Sequence, residues 1–483
     1  MTAAPDEKVL RPAAPSAGAP SDAVGRMGTA PVFRLLLSFS IPSIVGMVVV
    51  SLYNIVDRIF VGKGVGSIGI AATTVAFPVM LFLTAFSVLV GVGANTLFSI
   101  RMGEGRRDQA GRILGNAFLL LFACPLAATL PALWFLDPLL RLVGANADVL
   151  PYARTYSAVL IAMAPLNTAG HGLSHFIRSD GHPRISMVAM LIGAIVNTIL
   201  DPLFIFVFEW GIAGAAWATA ISQGLSFAWC LSYFLSPWAS TPLRRKYLWP
   251  RWRAIVFPFL AIGFAPFAMS LANTALNAIL NRALDAHGGH DALAVMGILG
   301  SFMSIVFMPL MGLTSGVQPL MGYNYGARLY SRVRSFFLVA TGLCTAILTA
   351  GWIIAQLFPS PIVRLFLPEN ELSLVPLGDH ALRVFTLGFP TIGIGMMAGN
   401  LYQAIGKPVE AAFLSLTRQV ILFIPMLLLF PPLFVRFFGP DFALDGVYWS
   451  APASDVLTGV IAALFAARQL RAFRRLEASS TPV

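Results

Sequence analysis

Residues 185–208 read ISMVAMLIGAIVNTILDPLFIFVF, with Asp201 as the single charged side chain. A helix needs about 20 apolar residues to cross the hydrocarbon core of a bilayer. This stretch is long and apolar enough, so it reads as a transmembrane helix. A carboxylate near a helix centre costs about 2.5–3.5 kcal/mol on insertion scales, and it marks function by default. Asn197 and Asp201 are four residues apart and share one helix face. Asp201 precedes Pro202, so a capping or hinge role is the structural alternative.

The rest of the chain repeats the pattern. Twelve spans are expected: 35–60, 68–99, 112–135, 149–173, 185–208, 212–236, 255–281, 293–322, 335–358, 377–403, 410–435 and 447–467. Of the 483 residues, 57% are hydrophobic and 11% charged, against about 25% charged in soluble domains. Mean hydropathy is +0.79. These values exclude a soluble enzyme, a disordered chain and a nucleic-acid-binding domain, despite a net charge of +11. The expected fold class is an all-α polytopic membrane protein.

Most of the positive charge is a topology signal. By span parity, 23 Lys and Arg fall on the side that carries both termini, eight fall on the other side, and Arg418 lies within a span. The positive-inside bias places both termini in the cytoplasm and the protein in the inner membrane as a multi-pass chain. Residues 1–33, rich in Ala, Pro, Gly and Ser, read as a disordered cytoplasmic tail without the apolar core of a signal peptide. The stretch TPLRRKYLWPRWR, within 238–254, is the most basic loop and reads as a linker between halves. Residues 468–483 read as a second cytoplasmic tail, an Arg-rich helix end followed by a short polar stretch. Cys124, Cys230 and Cys344 lie in apolar runs, so no disulfide is expected. His171 and His175 have the i, i+4 spacing of a metal pair, but no acidic or thiol ligand is near them in sequence. Two polar residues near a membrane interface are the simpler reading. There is no phosphate-binding loop for ATP-driven pumping.

The two halves are repeats. AMAPLNTAGHGLSHFIRSDGHP aligns with TLGFPTIGIGMMAGNLYQAIGKP, so that Pro165 meets Pro390, Gly181 meets Gly406 and Pro183 meets Pro408. Trp217 likewise meets Trp449, and Gly91 meets Gly312. An even number of helices per repeat brings both halves in from the same side. They are then related by a pseudo-two-fold axis along the membrane normal. The expected organisation is an N-lobe over 34–237 and a C-lobe over 255–467, with a cleft between them that can open to alternate sides. This favours a carrier over a channel.

Polar residues within the N-lobe spans form one constellation. Asn54 and Asp57 stand in SLYNIVDRIFVGKGVG, Asn197 and Asp201 in span 5, and Ala215 and Thr219 in GAAWATA of span 6. Carboxylates, an amide and a hydroxyl can cage Na+ with hard oxygen ligands. The same carboxylates can carry a proton. Alternatively, Asp57 pairs with the adjacent Arg58 at the helix end.

On these motifs the chain resembles the multidrug and toxic compound extrusion (MATE) family of cation-coupled drug antiporters, over roughly residues 34–467. The resemblance implies a cation-coupling site at Asp57, Asn197, Asp201 and Thr219, with Ala215 supplying a backbone carbonyl. In other members, acids on spans 7, 8 or 10 carry coupling. Here spans 7 and 8 hold no acid, and Asp379 sits only at the start of span 10, which favours the N-lobe. Asp455 in span 12 and Arg418 in span 11 either pair inside the C-lobe or form a second protonation site.

The function expected from this resemblance is secondary active export of amphipathic or cationic organic compounds by antiport with H+ or Na+. It needs no cofactor and no nucleic acid, and a monomer in the lipid bilayer suffices. Met is adaptable and suits promiscuous pockets, so GIGMMAGN of span 10 is a candidate for the cleft wall. One rival is a flippase for lipid-linked precursors or polysaccharides, which lines its cavity with several basic residues. Spans carrying almost no Arg or Lys besides Arg418 argue against it. A membrane enzyme would need an acid/base or metal cluster at an accessible loop, and none is apparent.

Overall fold

The computed structural model describes residues 22–367 and 369–480. Among the described residues, eight helical runs are long and apolar enough to cross a membrane, and one bent pair adds a ninth. The 75-residue run Trp252–Gly326 is far too long for a single crossing. It breaks at Gly289, whose φ of +60° lies in the left-handed region that favours glycine. That break makes two spans of one run. Two further helices, Leu150–Ser179 and Gly211–Leu235, complete the twelve. They are less apolar because their inward faces carry Tyr156, Ser157, Thr168 and Thr219 among small residues, and small or polar side chains are what join helices inside a membrane.

In chain order the spans are Val32–Gly64, Ser67–Gly103, Arg107–Trp134, Leu150–Ser179, Pro183–Val207 and Gly211–Leu235 in the first half. The second half begins with spans 7 and 8, on either side of Gly289, and span 9 is Tyr330–Leu357. Span 10 is the pair Leu372–Phe385 and Phe389–Ala404, bent by 47°. Spans 11 and 12 are Pro408–Phe438 and Pro440–Ser479. Several spans contain a π-helical turn. One, Leu203–Val207, directly follows Asp201–Pro202, and another, Thr417–Phe423, holds Arg418. Proline removes a backbone donor, and a π turn absorbs the resulting shift in register.

The spans gather into two six-helix lobes that exchange their first helical turns. Leu35, Leu36 and Phe39 of span 1 pack into the apolar core of the second lobe. Val256 and Phe259, at the start of span 7, pack into a core of the first. On the face that carries both chain ends the lobes are in tight contact. A Cβ added to Gly263 would lie 1.8 Å from the Leu89 carbonyl oxygen, and one on Gly103 would lie 1.9 Å from that of Tyr323. Gly93 and Gly326 are as closely approached by Phe259 and Ile100. These glycines let backbones of opposite lobes touch. The Gln318 amide also donates across the seam to Thr96 Oγ1 at 3.3 Å.

The first expected tail departs from the sequence reading where it is described. Residues 1–21 of the first lie outside the described residues, but Asp22–Thr29 form a helix. Val24 joins the core of the first lobe and Met27 that of the second. Asn324 Nδ2 and Arg332 Nη2 bond the Met27 and Ala30 carbonyls at 3.0 and 2.7 Å. The second tail continues the last helix to Ser480, with Phe473 fully buried and stacked on Tyr330. The basic linker is docked too. Asn116 of span 3 donates to the Tyr247 and Trp249 carbonyls at 2.9 and 3.1 Å and accepts from the Arg251 amide at 2.7 Å.

Candidate functional site

Spans 1 and 5 run parallel and close together. Met190 of span 5 fills the space beside Gly46 of span 1, where a Cβ would lie 2.4 Å from its sulfur. Eleven residues further along both helices, Asp57 and Asp201 bring their carboxyl groups into hydrogen-bond contact. Beyond them Ile205 closes over Gly64. The pairing is therefore set by two close helix contacts that bracket it.

Span 6 supplies the third wall. Asn197 Nδ2 donates to Asp201 Oδ1 and to Thr219 Oγ1, each at 3.3 Å. Asn197 and Asp201 are fully buried, and Ala215 is buried one turn before Thr219. Three oxygens, Asp57 Oδ1, Asn197 Oδ1 and Asp201 Oδ2, are buried without a hydrogen-bond partner. Tyr53 and Tyr156 lie close enough to feel both carboxyl charges. The arrangement has an excess of acceptors, and two carboxylates in contact away from water need a proton or a metal cation between them. Among the described residues Asp57 makes no ion pair with Arg58; it faces Asp201 instead. Asn54 stands apart, exposed, with its amide bonded to the Val50 carbonyl at 2.8 Å.

The other candidates are placed elsewhere. Arg418 Nε donates to Asp455 Oδ1 at 2.6 Å, and Asp455 is 2% exposed. This is the pairing inside the second lobe. Asp379 takes a hydrogen bond from Ser360, at the start of span 10. Met397 of span 10 is fully buried in the core of the second lobe and is therefore no cleft residue, while Met396 is partly buried against that core.

A cavity of about 430 Å3 lies between the lobes. Met47, Val50 and Ser51 of span 1 face Ser304, Phe307, Met308 and Met311 of span 8 across it. A smaller pocket shares Val50, His171, Ser174 and Met190 with this cavity and reaches Tyr53, beside the carboxyl pair. His171 and His175 line the cavity, and no cluster of three metal-binding side chains occurs among the described residues. Arg178 corrects the charge census. It is one of the 23 basic residues that span parity counts on the termini-bearing side, yet it is 3% exposed in the last turn of span 4 and lines the same cavity. Sequence reasoning missed it because it stands at a helix end, where basic residues normally reach water.

At that face lies a second buried acid, Asp180, in the connection between spans 4 and 5. Tyr233 Oη and the Ser240 amide donate to its Oδ2 at 2.6 and 2.7 Å. Burial outweighs these bonds and pushes its carboxyl up to about 6.

The family model MatE matches residues 42–203 and 254–429, well over half of the chain and part of each repeat. Among curated relatives, the multidrug export protein MepA of Staphylococcus aureus (strain MRSA252) is 28% identical over 441 residues, covering 90% of this chain and 93% of its own. A solved structure of MATE in the bent conformation superposes with a TM-score of 0.85 at 24% identity, covering 94% of this chain and 99% of that one. An outward-facing conformation of a multidrug resistance MATE family transporter gives a TM-score of 0.83 at 24% identity over 95% and 97% of the two chains. The repeat, the twelve spans and the matched family model agree: this chain belongs to the MatE family of MATE transporters.

Proposed function

We propose that the protein is a secondary active exporter of amphipathic organic compounds, cationic ones among them, driven by antiport with H+ or Na+ at Asp57, Asn197, Asp201 and Thr219. The name of its staphylococcal relative, a multidrug export protein, supports the substrate class. The observation that carries the mechanism is the contact between Asp57 and Asp201, with three orphan oxygens around it. Such a pair holds a monovalent cation and loses stability without one.

The termini-bearing face is taken as cytoplasmic on the basic bias of its loops. The lobes are closed there, so the cleft is offered to the outside. An external cation enters between Asp57 and Asp201 and draws spans 1 and 5 together. Span 1 also forms the wall of the inter-lobe cavity, through Met47, Val50 and Ser51. A change in its path at Asp57 therefore alters the drug site directly. Coupling requires the cation to bind one lobe arrangement more tightly than the other. Moving a population from 1:99 to 99:1 takes about 5.5 kcal/mol of differential binding.

The test is drug susceptibility of a host lacking its own pumps, with and without this chain in its inner membrane. Raised resistance to dyes and cationic antimicrobials is expected. Unchanged susceptibility together with an altered cell envelope would replace export of drugs by movement of envelope precursors.

A further inference from the structure

The inter-lobe cavity has a positive end that the cation site does not explain. Arg178 is 3% exposed, and among the described residues no carboxylate pairs with it. Its Nη1 donates to Ser186 Oγ at 2.9 Å, and its Nη2 lies 2.7 Å from His175 Nδ1. Ser186 Oγ is itself 2.7 Å from Ser174 Oγ. A guanidinium held by one imidazole nitrogen and one hydroxyl keeps its full charge and has spare donors. Removing such a cation from water is costly unless an anion completes it. His171 stands one helical turn before His175 and opens to the same space. The donors converge at one end of the cavity, while Phe307, Met308 and Met311 form an apolar wall along it.

We propose that this cavity recognises amphipathic molecules that carry an oxyanion, a carboxylate or a phosphate, which docks on Arg178, His175 and Ser174. The planar guanidinium fork matches the two oxygens of such a group. The methionines and Phe307 take the apolar body, whose shape they need not specify closely. Zwitterionic and anionic amphipaths are then substrates alongside cationic ones. Neither Asp57 nor Asp201 lines this cavity, so the oxyanion and the coupling cation occupy separate places. This inference rests on the export reading and narrows its substrate class.

The test uses the full-length protein in detergent and in proteoliposomes, with a xanthene dye carrying a free carboxylate and its methyl ester. The two dyes differ only in that group. The wild type should bind the carboxylate form about tenfold more tightly than the ester, the scale of a charge-assisted pair. Arg178→Gln should bring the ratio to about one, with a cooperative thermal unfolding transition in detergent showing that the variant is folded. Arg178→Lys should keep part of the preference. Short-chain phosphatidic acid, added as a competitor, separates a lipid phosphate from a soluble carboxylate as the preferred source. Displacement of the dye supports the lipid arm, and displacement by free carboxylate amphipaths alone supports the soluble one. Equal binding of the two dyes by the wild type, or a preference that survives Arg178→Gln, overturns the inference. Efflux of the ester dye tests the export reading separately: if the ester is exported and no preference exists, only the oxyanion site fails.

Discussion

Replacing Asp201 with Asn keeps the shape of the side chain and removes one charge from the carboxyl pair. Asp57 and Asp201 are in hydrogen-bond contact. At about 3 Å and an effective dielectric near 20, each full carboxylate charge interacts with a bound monovalent cation by about 5 kcal/mol. Relaxation of the site and entry of water recover part of this. A net loss of about 3 kcal/mol remains, roughly a hundredfold in the dissociation constant. The cation-free protein should gain stability, because the repulsion between the buried Asp201 and the half-buried Asp57 disappears. The new amide also gives the orphan Asp57 Oδ1 a donor. Thermal unfolding in detergent reads both effects. A saturating cation at about 100 times its dissociation constant stabilises the wild type by about 2.7 kcal/mol, seen as a rising midpoint in a sodium series or an acid series. Asp201→Asn should start higher, stay flat across the sodium series, and show in the acid series only the slope that Asp180 contributes. A variant that responds to the ion with the wild-type midpoint would place the cation site elsewhere and refute the reasoning.

Three further outcomes follow from other parts of the molecule. Asp455→Ala should destabilise the protein by about 3 kcal/mol, because it leaves the partly buried Arg418 without its partner; the double variant Arg418→Met with Asp455→Leu should recover most of that loss in the same unfolding assay. Asp180 holds its proton more tightly folded, at about 6, than unfolded, near 3.8. Stability from this group is therefore full below about pH 4 and is lost as pH rises through 6, by about 3 kcal/mol in all, and Asp180→Asn should flatten that slope in a pH series. Gly263→Ala puts a methyl group where only 1.8 Å separates it from the Leu89 carbonyl oxygen, so the lobes should part at the termini-bearing face. A cysteine placed at Thr96, in a background without Cys124, Cys230 and Cys344, should then react with a maleimide about tenfold faster or more, the scale of a 1.4 kcal/mol opening.

Much of the fold was legible because a bilayer imposes its length on every crossing. Run lengths alone located twelve spans, and the polar stretch NRALDAHGGHD with its break at Gly289 separates two that form one helical run. Asn197 and Asp201 were legible for the same reason that an intramembrane charge is costly, and their shared helix face follows from spacing. Asp57 was grouped with them, but its direct contact with Asp201 was not specified. It depends on Gly46 and Gly64 letting spans 1 and 5 approach, which periodicity does not report. Arg178 was misread because a basic residue beside a loop looks like a topology signal, and only packing shows it turned inward. The helix Asp22–Thr29 escaped notice because it has just two core-facing apolar residues, Val24 and Met27, one for each lobe. The helix end past Ala467 was legible, and Leu470, Phe473 and Leu476 recur every three residues along one face of it.

Transport in proteoliposomes under separately imposed proton and sodium gradients tests the central claim most directly. The account predicts that the wild type exports a cationic dye under at least one gradient and not without it. Asp201→Asn should bind the dye as well as the wild type does and export it no faster than protein-free vesicles leak it. Gradient-driven export by Asp201→Asn at the wild-type rate would contradict cation coupling through this pair.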